Sequence, residues 1–170
     1  RESGGWDDLA LPPRDQSTWG AAWEGWGLDH ATSEWAVASV SPAIGGALLD
    51  FIKSRTDARV TLFACGKDVP LPNELDHPET SGADRALGVL GALSLPGTTG
   101  RPGFVISCGS AVTVDRVSDK GVWTGGAIAP GLALASETLH AKTAQLPMVY
   151  VTKAPAPFGR STVPAIEAGV

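Results

Sequence analysis

The sequence has little of what marks a secreted, membrane-embedded or nucleic-acid-binding protein. Only two cysteines, Cys65 and Cys108, occur in 170 residues, which excludes a disulfide framework and a thiolate metal cluster. Each closes an apolar run, so both are expected to be buried and reduced. The three histidines, His30, His77 and His140, share no metal-ligand spacing, and no serine sits in a nucleophile elbow. No apolar stretch approaches the roughly 20 residues needed to cross a bilayer. No apolar run follows Arg1–Asp8 as it would in a signal peptide, so a cytoplasmic protein is expected. Basic residues are outnumbered 13 to 18, for a net charge of −5. A nucleic-acid binder needs a basic surface, and the densest basic stretch, Lys53 to Arg59, suits a solvated helix end.

Apolar material is ample: 43% of residues are hydrophobic and 18% charged, enough for a buried core. Five of the six tryptophans (Trp6, Trp19, Trp23, Trp26 and Trp35) fall in residues 1–35. Trp19, Trp23 and Trp26 share one face of a helix, forming either a local cluster or a partner-binding surface. Gly20, Gly25 and Gly27 weaken a helix there. Trp35 to Val40 reads as a strand, Ala43 to Ser54 as a helix opened by Pro42, with Ile44, Leu48 and Ile52 on one side, and Val60 to Ala64 as a second strand. That order predicts a parallel pair with a crossover.

Lys67 to Gly82 reads as a polar loop and Ala83 to Leu95 as a helix whose Gly88 and Gly91 would admit another backbone. Phe104–Ser107, Ala111–Val117 and Val122–Ile128 form a hairpin series. Pro130 is expected to open a helix to about Gln145, with Leu132, Ser136, Leu139 and Thr143 facing inward and Pro147 as its stop. A last helix follows Ser161-Thr162. The chain divides into residues 1–35, 36–100 and 101–170.

Three stretches could carry chemistry. In Asp76-His77-Pro78-Glu79-Thr80-Ser81-Gly82-Ala83-Asp84-Arg85, Gly82 allows close approach to a ligand. Asp84 falls in the first turn of a helix, which suits a carboxylate. Arg85 offers a planar fork for a carboxylate. A plain helix start with surface charges would read the same way. Ser107-Cys108-Gly109-Ser110-Ala111-Val112-Thr113-Val114-Asp115 is a glycine turn between strands, able to offer amides and hydroxyls to phosphate or to be an ordinary hairpin. Asp115 could bind a metal or cap the turn. Gly125-Gly126-Ala127-Ile128-Ala129-Pro130-Gly131 is a loop able to pack tightly on a ligand.

Taken in order, these stretches resemble the type III pantothenate kinases of the acetate kinase, sugar kinase, actin and heat-shock ATPase superfamily. The resemblance runs through Pro78-x-x-x-Gly82-x-Asp84-Arg85, Gly109-Ser110-Ala111-x-Thr113-x-Asp115 and Gly125-Gly126-x-Ile128-x-Pro130-Gly131. It continues through Leu139-x-x-x-Thr143-Ala144-x-Leu146-Pro147 and Gly159-x-x-Thr162-x-x-Ala165-Ile166-x-x-Gly169. It implies an α/β fold: a ribonuclease-H-like duplicated mixed sheet with flanking helices, the actin-like ATPase arrangement, truncated here. It implies ATP-dependent phosphorylation of pantothenate to 4'-phosphopantothenate, the first step of coenzyme A biosynthesis, in a homodimer.

By the same resemblance Asp84 is the proton acceptor, and Gly82, Ala83, Asp84, Arg85 and Thr162 bind pantothenate. Ser110 stands where a threonine touches ATP, and Mg2+ accompanies the nucleotide. The helix from Pro130 to Gln145 is the expected subunit contact. Ser107 replaces an aspartate that helps hold a monovalent cation (K+ or NH4+), which weakens that site because a neutral hydroxyl is a poor ligand for a hard cation. Residues 1–35 show no Asp-x-Gly-Asn-Thr phosphate loop, and the family's adenosine-covering segment lies beyond the matched stretch. Two other readings follow from the same residues: a non-catalytic regulatory or pantothenate-binding relative, and a sugar kinase of the superfamily.

Overall fold

The computed structural model describes residues 8–26, 34–98 and 100–170; Trp6, Gly27 and His30 lie outside them. Helix α1, Gln16–Gly25, starts where Asp15 accepts hydrogen bonds from the Ser17 amide (3.1 Å) and hydroxyl (2.6 Å). These bonds, the hydroxyl's first, hold the Asp15 carboxyl below its usual range. The helix forms despite Gly20 and Gly25 because burial of its apolar face outweighs propensity. Trp19 meets the Phe51 ring edge-on at 5.5 Å, and Trp23 stacks on Trp35 at 4.9 Å. Trp19 and Trp23 thus belong to the core, while Trp26, at the helix end, remains about half exposed.

Strands β1, Trp35–Ala38, and β2, Val60–Phe63, pair parallel from Trp35↔Val60 to Ala38↔Phe63, with helix α2, Pro42–Lys53, as the crossover. Both strands stop before their expected ends, for local reasons. The Ser39 hydroxyl accepts from the Ser41 amide (3.1 Å) and donates to the Ser41 carbonyl (2.9 Å), turning the chain into α2. The amides of Ala64 and Cys65 donate to Asp68 (2.8 and 3.0 Å) instead of continuing a ladder. Trp19, Val37, Phe51 and Ile52 close a first core over this pair.

A second core gathers Val69, Leu71, Ala86, Val89, Val117 and Trp123. Its first two members correct the expectation of a wholly polar loop over Lys67–Gly82. The segment tucks Val69 and Leu71 inward and runs beside Trp123, with Pro72 and Trp123 bonded through Trp123 N–H (2.9 Å) and Glu74 N–H donating to the Trp123 carbonyl (2.9 Å). Helix α3, Ala83–Leu93, covers this core with Ala83, Ala86 and Val89, all fully buried. Close approach is made by those residues. Side chains added at Gly88 or Gly91 would meet nothing within 4 Å, so among the described residues the close backbone contact expected at these glycines is absent.

Strands β3, Gly103–Cys108, β4, Ala111–Val117, and β5, Trp123–Pro130, form an antiparallel sheet in that order. Cys108 corrects the expectation of a buried thiol: with Phe104 and Ile106 it alternates onto the sheet face that α3 does not cover, and all three are exposed. Cys65 is partly buried, and both cysteines are free. Pro130 ends β5 opposite Ala111 instead of opening a helix; at the end of an edge strand its missing N–H breaks no interior ladder.

Helix α4, Leu132–Lys142, is therefore shorter than expected at both ends. On its expected inner face only Ser136 is fully buried, while Leu132 is half exposed and Thr143 exposed. The Ser136 hydroxyl donates to the Val149 carbonyl, so the following segment, not the sheet, covers that side. Helix α5, Thr162–Gly169, ends the chain. The result is a mixed α/β fold with one parallel and one antiparallel sheet. Among the described residues no helix is long and apolar enough to cross a membrane.

Candidate functional site

The loop from His77 to Gly82 is fixed from below. Pro78–Thr80 forms a single 3-10 turn, the Ser81 hydroxyl donates to the Pro78 carbonyl (2.7 Å), and the Gly66 amide donates to the Ser81 carbonyl (2.8 Å). A Cβ at Gly66 would overlap the Ser81 hydroxyl, so the seat requires glycine. Gly82 caps α3 in extended conformation, and a Cβ there would collide with Asp84 Oδ1. Glycine at 82 leaves room for the Asp84 carboxylate to fold back over the helix entry.

Ala83 is anchored at full burial, while the next residue, Asp84, is exposed. Asp84 faces a cleft of about 270 Å³ walled by Ala38, Ser39, Val40, Ser41 and Ile44. This cleft lies at the carboxyl end of β1, where α2 begins. Open α/β sheets hold their ligands at such ends. A smaller apolar hollow of about 190 Å³, lined by Leu93, Phe104, Val105 and Val117 among others, opens at the far end of α3 and contains no acid or histidine.

Arg85 points elsewhere, as the roughly 100° step between consecutive helical residues requires. Its Nη2 and Nε donate to the two oxygens of Asp115 at 2.5 and 3.3 Å. Asp115 is 2% exposed and also accepts from Trp123 Nε1 at 3.0 Å. The guanidinium stands 5.3 Å from the Trp123 ring centre. Arg85 therefore does grip a carboxylate, but one of this chain's own. Asp115 neither caps the hairpin turn nor stands free for a metal. Gly126 lies against the pair: a Cβ there would come within 2.6 Å of Asp115 Oδ1 and 2.9 Å of Arg85 Nη2.

The Gly109-Ser110 turn is braced in the same manner. Gly131 N–H donates to the Ser110 carbonyl (2.9 Å), and a Cβ at Gly131 would sit 2.8 Å from that oxygen. The three glycine-rich stretches of the sequence are thus one packed unit. The Ser110 side chain is exposed at the tip, five residues from Asp115, or roughly 17 Å along the strand. Ser107 is exposed and lies opposite Thr113, whose buried hydroxyl has no hydrogen-bond partner among the described residues. Thr162 stands exposed at the first position of α5. No hydrogen bond or ion pair among the described residues joins Ser110 or Thr162 to Gly82–Arg85.

His77, exposed, lies 3.2 Å from Glu79. Glu79 is held below its usual range by its own backbone amide first and by His77 second. Such exposed pairs contribute little to stability. Among the described residues no group of three or more His, Cys, Asp or Glu could hold a metal ion.

Sequence reasoning overlooked two features of this site. One is the Ser39–Ser41 rim, signalled only by serines flanking a strand-to-helix turn. The other is the Arg85–Asp115–Trp123 cluster. Its signal was present: Asp115 shares a strand face with Thr113 and Val117, and an acid on a buried face calls for a cation.

The chain is similar to known proteins along most of its length. The chain is 33% identical over 145 residues to a type III pantothenate kinase of Moorella thermoacetica, covering 85% of this chain and 56% of the relative. It is 35% identical over 141 residues to one from Acidobacterium capsulatum, covering 83% and 51%. The chain spans about half the length of these curated relatives. A solved structure from Campylobacter jejuni, described as a Baf family transcriptional activator, superposes with a TM-score of 0.52 at 18% identity. That match covers 86% of this chain and 62% of that one, and likeness at this identity concerns fold alone. The family model for type III pantothenate kinase matches residues 14–170, and the chain belongs to that family.

Proposed function

We propose that the protein phosphorylates pantothenate with ATP, the first step toward coenzyme A, and that this chain carries the acceptor side of the site. The observation that supports it most is Asp84: an exposed carboxylate on the first turn of α3, facing a cleft at the carboxyl end of β1. In the reaction the pantothenate hydroxyl oxygen bonds to the γ-phosphorus, the bond from that phosphorus to the bridging oxygen breaks, ADP leaves, and the hydroxyl proton passes to Asp84. Such transfers demand positioning and charge stabilisation more than covalent chemistry. Gly82, whose Cβ position lies 3.6 Å from the cleft-lining Val40, and Ala83 are further pantothenate contacts in this reading. Arg85 retains Nη1 free of hydrogen bonds among the described residues, the one nitrogen left to meet the substrate carboxylate. Thr162 is a further pantothenate contact and Ser110 an ATP contact.

The described residues offer no carboxylate cluster for Mg2+. Ser107 places a neutral hydroxyl where the family holds K+ or NH4+, so monovalent-cation dependence is expected to be weak. The β1–β2 and β3–β5 sheets are read as parts of the two lobes of a duplicated ribonuclease-H-like fold. Residues 36–100 then hold the end of the first lobe and the substrate loop, 101–170 the second lobe with its phosphate-binding hairpin, and 1–35 form a tryptophan- and glycine-rich N-terminal segment. A cytoplasmic homodimer is the proposed assembly, with α4 as its contact because Leu132 and Leu134 are about half exposed. Light scattering at the monomer mass would remove the dimer.

Substituting Asp84→Asn tests the base directly. Pantothenate-dependent ADP release should fall about 10²- to 10⁴-fold, the usual range for loss of a general base, with an unchanged melting temperature. Equal turnover in the variant would remove Asp84 from its role.

A further inference from the structure

We propose that Asp115 is a positioning residue for this reaction, a latch that holds Arg85 and thereby fixes where Asp84 stands relative to the phosphate hairpin. The catalytic part of this inference rests on the reading of Asp84 as the base. Asp115 touches no cleft. Its carboxylate is 2% exposed and meets donors from two directions, Arg85 on α3 and Trp123 on β5. The strand beside it is hollowed at Gly126, where a Cβ would come within 2.9 Å of Arg85 Nη2 and 2.6 Å of Asp115 Oδ1. The sequence thus supplies a cation, a buried acid and a missing side chain on three separate elements, α3, β4 and β5, and all three converge on one point.

The neighbours of the latch are placed to transmit its position. Ala83 and Ala86, fully buried on either side of Arg85, leave the first turn of α3 no slack to rotate. Asp84 makes no hydrogen bond to any described residue, so its placement is set by the helix alone. A buried ion pair is a weak source of stability, since apolar side chains of similar volume often replace one without loss. What such replacements cannot supply is direction. The fork of Arg85 against Asp115 defines one orientation of α3 on β4. Positioning errors of about 1 Å can cost on the order of 10²-fold in rate.

The test compares Asp115→Asn with the apolar pair Arg85→Met/Asp115→Leu and with Asp84→Asn/Asp115→Asn. Turnover is measured per folded molecule, well below each melting temperature. For Asp115→Asn the expectation is a fall in kcat of about tenfold to hundredfold with KM for ATP unchanged. The double variant with Asp84→Asn should be no slower than Asp84→Asn alone, because Asp115 acts through Asp84. The apolar pair should melt near the wild type and still turn over slowly. Wild-type kcat in a folded apolar pair, or additive losses in the double variant, would reduce Asp115 to a packing role.

Hydrogen exchange separates failure of the latch from failure of the kinase reading. In Asp115→Asn the amides of residues 81–86 should exchange at least about tenfold faster, with the β1–β2 ladder unchanged. Unaltered protection there overturns the latch whatever the activity. A wild type without pantothenate turnover overturns the kinase reading, and the exchange experiment still decides the latch.

Discussion

The cluster of Trp19, Val37, Phe51 and Ile52 is closed by aliphatic side chains and crossed rings, with the Arg55 guanidinium laid over Phe51 at 3.8 Å as its outer edge. The cluster of Val69, Leu71, Val89, Val117 and Trp123 has an ion pair set into its margin, and Trp123 serves both as core and as hydrogen-bond donor. Apolar packing is non-directional and scales with area removed from water. A bidentate guanidinium–carboxylate pair has a fixed plane and a fixed fork. The first core can therefore hold its sheet and helices together without specifying an orientation to a fraction of an ångström. The second can specify one, and it lies directly beneath the residues that the kinase reading assigns to chemistry.

Removing one side chain from each core tests that contrast. Asp115→Ala leaves the Arg85 charge partly buried without its partner and the Trp123 N–H without its acceptor. A loss of about 3–5 kcal/mol is expected. Ile52 is 2% exposed, and Ile52→Ala leaves a cavity worth about 2–5 kcal/mol. Chemical denaturation should thus rank the two as similar. Activity should not: per folded molecule, Ile52→Ala retains wild-type kcat and Asp115→Ala does not. If both variants lost turnover equally after correction for unfolded protein, the distinction between a holding core and an orienting core would fail.

The two regions also differed in how far they could be read from the sequence. The β1–α2–β2 unit was legible because its signals are local: a proline at the helix entry, apolar spacing along Ala43–Ser54, and short strands on either side. The hairpins were legible for the same reason, from alternation and glycine turns. The Arg85–Asp115 pair was not, because its partners are 30 residues apart and nothing in linear spacing encodes which buried acid meets which cation. Val69 and Leu71 escaped notice because single apolar residues between prolines have no period. Cys108 and Leu132 were misjudged because alternation shows which residues share a face but not whether that face is covered. Asp84 was placed correctly on the first turn of its helix from Gly82 and the apolar pattern that follows. The cleft it faces, made by residues forty or more positions earlier in the chain, required the fold.

Acid titration reads the smallest expected difference between the regions. Each has one exposed carboxylate capping backbone amides: Asp15 at the entry of α1, and Asp68 at the turn after β2. Asp68 is held below its usual range chiefly by the Ala64 amide and then by that of Cys65, Asp15 by the Ser17 hydroxyl and then its amide. In both cases the folded-state value lies below the usual aspartate value of 3.8. Each therefore contributes stability above that pH and loses the contribution as pH falls through its lower folded value. Asp15→Asn and Asp68→Asn should each flatten the acid-side fall of the melting temperature and leave its slope near neutral pH unchanged. The consequences diverge by region. Loss of the Asp15 cap frays α1 at the margin of the tryptophan core, none of whose residues lines the Asp84 cleft. Loss of the Asp68 bonds frees the Ala64–Gly66 turn, and Gly66 seats Ser81 at the entrance to the cleft. Exchange of the Gly66 amide should therefore quicken in Asp68→Asn and stay unchanged in Asp15→Asn, and equal protection in the two would show that the acceptor loop is held without that turn.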